Sequence, residues 1–74
     1  MTTDQYYDLI DMLEMEIDWS YVESECKGTQ RFDLGQRSIW VYESGEIAGL
    51  PTLPVSVQNT VKNIIKELDL AITL

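Results

Sequence analysis

Carboxylates are the side chains of this sequence whose spacing comes closest to supporting chemistry. Asp4, Asp8 and Asp11 recur at helical steps of three and four residues, and such a row of oxygens can hold Mg²⁺ or Ca²⁺ weakly. A dedicated calcium loop needs oxygen ligands around a glycine turn, and that pattern is absent. A glycosidase pair of carboxylates requires a cleft, for which 74 residues offer little material. We therefore expect no metal site and no catalytic carboxylate pair.

Motifs for nucleophilic catalysis and phosphate binding are also missing. The chain has no histidine, so the usual Ser-His and Cys-His pairs cannot form. Cys26 is the single cysteine, which excludes an intramolecular disulfide, and we interpret it as a half-buried structural residue. The four glycines fall at predicted turns or a strand end and form no P-loop or dinucleotide motif. We predict that the protein is not an enzyme and uses no cofactor.

The distribution of charge is the most informative feature of the sequence. The formal net charge is −8, and residues 1–26 contain eight acidic residues with no lysine or arginine. Residues 27–74 contain five acidic and five basic residues, so the first third carries the whole imbalance. This charge repels nucleic acid and anionic membranes and attracts a basic protein surface. The alternative interpretation is a solvated helix face whose charge serves only solubility.

Residues 2–18 are predicted to form an amphipathic helix. Thr2 and Gln5 fit a capping box at its start. An apolar stripe at helical spacing predicts the buried side: Tyr6, Leu9, Ile10, Leu13 and Ile17. The opposite side combines carboxylates with a tyrosine and a methionine, two residue types enriched at interfaces. We predict that this side binds the partner through Asp4, Tyr7, Asp8, Asp11, Glu14, Met15 and Asp18.

Residues 19–50 are predicted to form a β-meander of three or four antiparallel strands. Alternation over Trp19–Lys27 predicts a first strand with Trp19 and Tyr21 on one side and Val22 and Cys26 on the other. Further strands are predicted over 31–34, 37–43 and 46–50, and the 31–34 segment could instead merge into a longer, bulged partner. Turns are expected at 27–30, 35–36 and 44–45.

A second helix is predicted from Pro54 to about residue 69, because proline is favoured in the first turn. The apolar tail 70–74 could extend this helix, dock on the sheet or contact a second subunit. The expected architecture is a single α+β domain over residues 1–74, with two helices covering one face of an antiparallel meander. No apolar run approaches the roughly 20 residues of a membrane helix, and no secretory signal precedes the first helix, so we expect a cytoplasmic protein.

Size and charge together favour a small acidic protein-binding module. Helical carboxylates can stand in for phosphates, since both accept bidentate hydrogen bonds from arginine. We therefore predict an inhibitor that mimics nucleic acid and occupies a nuclease, a CRISPR effector or another nucleic-acid-binding protein. By analogy of size and charge, small acidic anti-defence proteins of phages and mobile elements, such as anti-CRISPR proteins, have this character. The alternative is a subunit or adaptor that assembles, for example as a homodimer, through Trp40 and Tyr42 on the uncovered sheet face.

Overall fold

The computed structural model describes residues 1–73, and Leu74 at the end of the predicted tail lies outside the described residues. Helix α1 spans Thr3–Glu16. The sheet consists of β1 (Tyr21–Val22), β2 (Thr29–Leu34), β3 (Arg37–Tyr42) and β4 (Glu46–Ala48). A 3-10 helix, Leu50–Thr52, leads into helix α2, Val55–Glu67. Neighbouring strands are antiparallel and follow chain order, which confirms the predicted α+β fold with four strands.

The hydrophobic core lies between one face of the sheet and the two helices, which also contact each other. Cross-strand partners such as Phe32 and Ile39, or Val41 and Ile47, point to the same side of the sheet and are buried there. The predicted apolar stripe of α1 meets them, joined by two side chains of α2: Tyr6, Leu9, Ile10, Leu13, Val61 and Ile64. This packing fixes α1 so that its opposite side faces solvent.

Helix α1 begins as predicted and ends earlier than predicted. The Thr2 hydroxyl accepts the Gln5 backbone N–H at 3.1 Å, and the Gln5 side-chain oxygen accepts the Thr2 N–H at 2.8 Å, which completes the capping box. At the other end Ile17 is extended, and Trp19 Nε1 donates to the Leu13 carbonyl at 2.9 Å. The Leu13 carbonyl also accepts the Ile17 backbone N–H at 3.2 Å, so the indole is its second donor at the helix end. Asp18 therefore lies beyond the helix.

The predicted first strand, residues 19–27, is wrong in length and in the orientation of its first side chain. Only Tyr21–Val22 forms a strand, with an isolated bridge from Cys26 to Thr29. The Trp19 ring packs against Phe32 on the core side, at 5.1 Å between ring centroids, whereas Tyr21 lies on the uncovered face. Trp19 precedes the strand, so strand alternation does not set its direction. Cys26 is exposed, not half-buried as predicted.

The turn after Cys26 is tighter than the predicted turn over residues 27–30. Lys27 and Gly28 form a two-residue loop, and both have positive φ, 52° and 77°. This left-handed pair is typical of a type I′ hairpin, whose twist matches that of the flanking strands. As a result Thr29 and Gln30 belong to β2, which is two residues longer than predicted.

The C-terminal tail contacts the sheet, as one of its predicted alternatives stated, and does not extend α2, which ends at Glu67. The Thr73 N–H donates to the Gly45 carbonyl at 2.8 Å, and the Ile47 N–H donates to the Thr73 carbonyl at 3.1 Å. Thr73 thus runs parallel to the edge of β4. A Cβ added at Gly45 would lie 3.2 Å from the Ala71 carbonyl oxygen and 3.8 Å from the Met1 nitrogen. Both ends of the described chain therefore meet at the β3–β4 turn.

Candidate partner-binding surface

The solvent side of α1 carries six of the seven residues predicted to bind a partner. We call Asp4, Tyr7, Asp8, Asp11, Glu14 and Met15 the acidic helix face, and all six are exposed. Met15 is 77% exposed and Tyr7 is 47% exposed, so both apolar surfaces are available among the carboxylates. The seventh residue, Asp18, is exposed just past the helix end.

The carboxylates of α1 are dense and lack cationic partners. The 14-residue helix is about 21 Å long at 1.5 Å per residue and carries five acidic residues, or one charge per about 4 Å. One strand of duplex DNA carries a phosphate roughly every 3.4 Å of axis, so the two densities are similar. Within residues 1–73, the ion pairs are those of Arg31 with Glu23 and Asp33, and none involves α1. The helix therefore presents uncompensated negative charge.

One flank of α1 is held against the sheet by polar contacts. The Glu14 carboxylate accepts a hydrogen bond from the side-chain amide of Gln30 in β2 at 3.2 Å. The Thr3 hydroxyl donates to Glu43 Oε1, in the β3–β4 turn, at 2.6 Å. These contacts, together with the core beneath, fix the orientation of the acidic helix face relative to β2 and the β3–β4 turn.

Tyr6 adds a polar atom to this flank that the sequence pattern presented only as part of the apolar stripe. Its side chain is fully buried, and its hydroxyl has no hydrogen-bond partner among the described residues. Burial, and to a smaller extent the charges of Glu25, Tyr7 and Glu43, together raise the pKa of Tyr6 to about 12. Glu25 and Glu43 were not among the predicted site residues. No sequence periodicity could have revealed these two glutamates, because Tyr6, Glu25 and Glu43 come from separate segments of the chain.

The second predicted interface, Trp40 and Tyr42, lies on the sheet face opposite the core. Trp40 is 39% exposed and Tyr42 is half-buried, while the intervening Val41 is buried on the other face. Arg31 lies opposite Trp40 in the neighbouring strand, with its guanidinium 5.9 Å from the centre of the Tyr21 ring. Its ion pairs measure 3.7 Å to Glu23 and 3.2 Å to Asp33, so its charge is already paired on this face.

Neither a protein-family model nor a curated protein nor a solved structure matches the chain. Over residues 1–73, no three or more His, Cys, Asp or Glu side chains are grouped so that they could hold a metal ion. None of the helices in that part of the chain has both the length and the apolar character needed to cross a membrane. Arguments about function therefore rest on the surface of this chain itself.

Proposed function

We propose that this protein is a small acidic protein-binding module that inhibits a nucleic-acid-binding protein by presenting the acidic helix face to its basic groove. The supporting observation is the row of uncompensated carboxylates along α1, whose charge density resembles that of one DNA strand. A basic groove that binds phosphates has arginine and lysine side chains that pair equally well with carboxylates. Occupation of that groove would exclude the nucleic acid.

The rigidity of α1 favours this mode of binding. The helix is closed at its start by the capping box and held from below by four buried side chains, so little order has to be gained on binding. Charge attraction would speed the encounter, and this contribution falls as salt screens it. Tyr7 and Met15 would supply the apolar contact that carboxylates alone do not provide.

The class of partner follows from the same chemistry. A nuclease, a CRISPR effector or another protein with a basic nucleic-acid groove offers the required cationic surface. Such an inhibitor would act as an anti-defence protein of a phage or mobile element, of the anti-CRISPR type.

Charge reversal on the acidic helix face tests the proposal. We expect the double variant Asp8→Lys/Asp11→Lys to lose the partner, because two attractive carboxylates become repulsive charges in the groove. The matched control Glu67→Lys/Asp69→Lys makes the same change in net charge at two exposed positions, the last residue of α2 and the turn that follows it, and should retain binding. The readout is a pull-down from nuclease-treated lysate, with low-salt and high-salt washes, after circular dichroism has verified both folds.

The captured protein must satisfy two further conditions. It should be a basic nucleic-acid-binding protein that high salt releases, and added DNA or RNA should compete for it. Retention of the same partner by the double variant would refute the proposal.

A second candidate function is assembly through the sheet. Tyr21 is 53% exposed and lies with Trp40 on a face that neither helix covers. Exposed aromatic patches of this kind mark protein interaction surfaces. In that case the protein would be a subunit or adaptor, and its charge would serve solubility.

A further inference from the structure

Two glutamates converge beside α1 at the β1–β2 hairpin. Glu25 Oε1 accepts the Gly28 backbone N–H at 2.7 Å, and a Cβ added at Gly28 would lie 3.4 Å from Glu43 Oε2. Both carboxylates thus approach the same backbone position. We call Tyr6, Tyr7, Glu25 and Glu43 the hairpin cluster.

The hairpin cluster offers acceptors and lacks a cation. The ion pairs within residues 1–73 all use Arg31, and neither Glu25 nor Glu43 takes part in them. Both glutamates are half-buried, so part of each remains open to a partner. The fully buried Tyr6 hydroxyl has no hydrogen-bond partner in this part of the chain, and Tyr6 lies one helical turn from Thr3, whose hydroxyl donates to Glu43. After burial, the charges of Glu25 and Glu43 also raise the pKa of Tyr6. This unpartnered hydroxyl is a second feature, independent of the acids, that calls for a hydrogen-bonding group.

The aromatic ring of Tyr7 lies one helical turn from Thr3, whose hydroxyl donates to Glu43. The Tyr7 ring is 5.3 Å from the Tyr6 ring between centroids, and it is about half exposed. An exposed aromatic face attracts a cation placed over it, and a planar cation can stack there. The complement of the hairpin cluster is therefore a planar cation with several donors.

We infer that the partner inserts one arginine side chain at the hairpin cluster, where its guanidinium bridges Glu25 and Glu43 and stacks on Tyr7. This inference rests on the proposed function and adds an anchor residue of the partner, positioned on the flank of the acidic helix face. Arginine fits better than lysine because its planar group carries five donors and can pair with two carboxylates at once. A small rearrangement of either glutamate would let the Tyr6 hydroxyl join the same network as donor or acceptor.

The test uses basic peptides as probes on the full chain. Octa-arginine and octa-lysine carry equal charge, so a difference between them reports the guanidinium and not the net attraction. We expect amide chemical-shift changes on titration with octa-arginine to be largest at residues 6, 7, 25, 28 and 43, and its affinity to exceed that of octa-lysine by about fivefold or more. The wild-type shift map is informative even if a variant proves unstable.

Variants of equal charge complete the test. Glu25→Gln/Glu43→Gln keeps an acceptor for the Gly28 N–H and removes both charges, whereas Asp4→Asn/Asp11→Asn removes two charges from the acidic helix face. We expect the first to weaken octa-arginine binding about tenfold and abolish the preference over octa-lysine, and the second to weaken both peptides about equally, roughly two- to threefold.

The outcomes separate this inference from the proposed function. Equal losses in the two double variants, or equal affinity of the two peptides for the wild type, would overturn the arginine site and leave the acidic helix face as a diffuse binding surface. Failure of the proposed function would instead appear as retention of the cellular partner by Asp8→Lys/Asp11→Lys, whatever the peptides do.

Discussion

Tyr6 combines a core position with an ionisable group, and this combination has a consequence for stability at high pH. Its pKa is raised to about 12 in the folded protein, mainly by burial, against an ordinary value of 10.0. The folded state therefore retains the phenol proton more tightly than the unfolded state. The contribution of this proton to the free energy of unfolding is complete below pH 10. It is lost as the pH rises through 10 towards 12, because in that range ionisation of the phenol stabilises only the unfolded chain.

We expect the wild type to lose free energy of unfolding more steeply than Tyr6→Phe between pH 9 and pH 11.5. Urea denaturation of both proteins at several pH values measures the difference, and the tyrosines and lysines common to both cancel in the comparison. Parallel curves would mean that folding does not raise the pKa of the Tyr6 hydroxyl. At neutral pH the variant should be at least as stable as the wild type, because it removes a buried hydroxyl without a partner.

Residues of the acidic helix face were predictable because a helix repeats its directions regularly. The stripe containing Leu9 and Leu13 identified the buried side, and the positions opposite, such as Asp8 and Asp11, had to face solvent. Trp19 was mispredicted because it follows the helix and precedes the strand, where neither period applies. The hairpin cluster depends on tertiary packing of three segments, which a single sequence pattern does not encode.

Among the elements, the junction of β4 with the 3-10 helix packs closely against the backbone of β3. Gly49 has φ of 86°, and a Cβ there would collide with the Ser38 carbonyl oxygen in β3. Gly35, in the β2–β3 turn, has φ of 63°, and a Cβ there would meet open space. Both glycines accept a left-handed backbone, but only Gly49 also permits a close approach of two elements.

We expect Gly49→Ala to destabilise the protein by more than Gly35→Ala. The left-handed backbone alone costs an alanine roughly 1–2 kcal/mol at either site. At Gly49 the collision with β3 adds a cost of order 1–3 kcal/mol, because backbone must shift. Chemical denaturation of the two variants and the wild type gives the comparison. Equal losses would show that the approach of Gly49 to Ser38 relaxes freely.

The helices followed the predicted pattern more closely than the strands did. Helix α2 was predicted over 54–69 and spans Val55–Glu67, because Pro54 marks its start and its apolar positions repeat regularly. The strands are short, so an error of two residues in the position of one turn changes the assignment of a large fraction of a strand. The left-handed conformation of Lys27, which is not a glycine, concealed the two-residue turn that lengthens β2.

At the scale of the whole molecule, the acidic helix face and the exposed aromatic side chains of the sheet lie on opposite sides. The chain measures 29 × 25 × 20 Å, so the roughly 21 Å of α1 covers most of one side. The sheet face with Trp40 lies across the core from it. A partner that binds the acidic helix face would leave the sheet face free. A dimer formed through the sheet face would keep its two acidic helices apart.

If the sheet face mediates assembly, Trp40→Ala should weaken self-association about tenfold, because aromatic anchors dominate such interfaces. The effect should depend little on salt, unlike binding by the acidic helix face. Sedimentation equilibrium over a range of concentrations provides the measurement, with Val55→Ala, which truncates a 70% exposed side chain on α2, as control. A wild type that stays monomeric throughout, or a Trp40→Ala variant that associates normally, would rule out dimerisation through this face.

Met1 and the tail meet at the β3–β4 turn, and this proximity makes a circular permutation of the chain possible. A short linker could join the two ends there, and new ends could be opened at Gly35, where a side chain would meet open space. Such a circular permutant would keep the acidic helix face intact. In the original chain β2 and β3 are neighbours in sequence. In the permutant they would lie at opposite ends, so their pairing would have the largest sequence separation in the chain. The same architecture would then form more slowly, because the loop to be closed is longer.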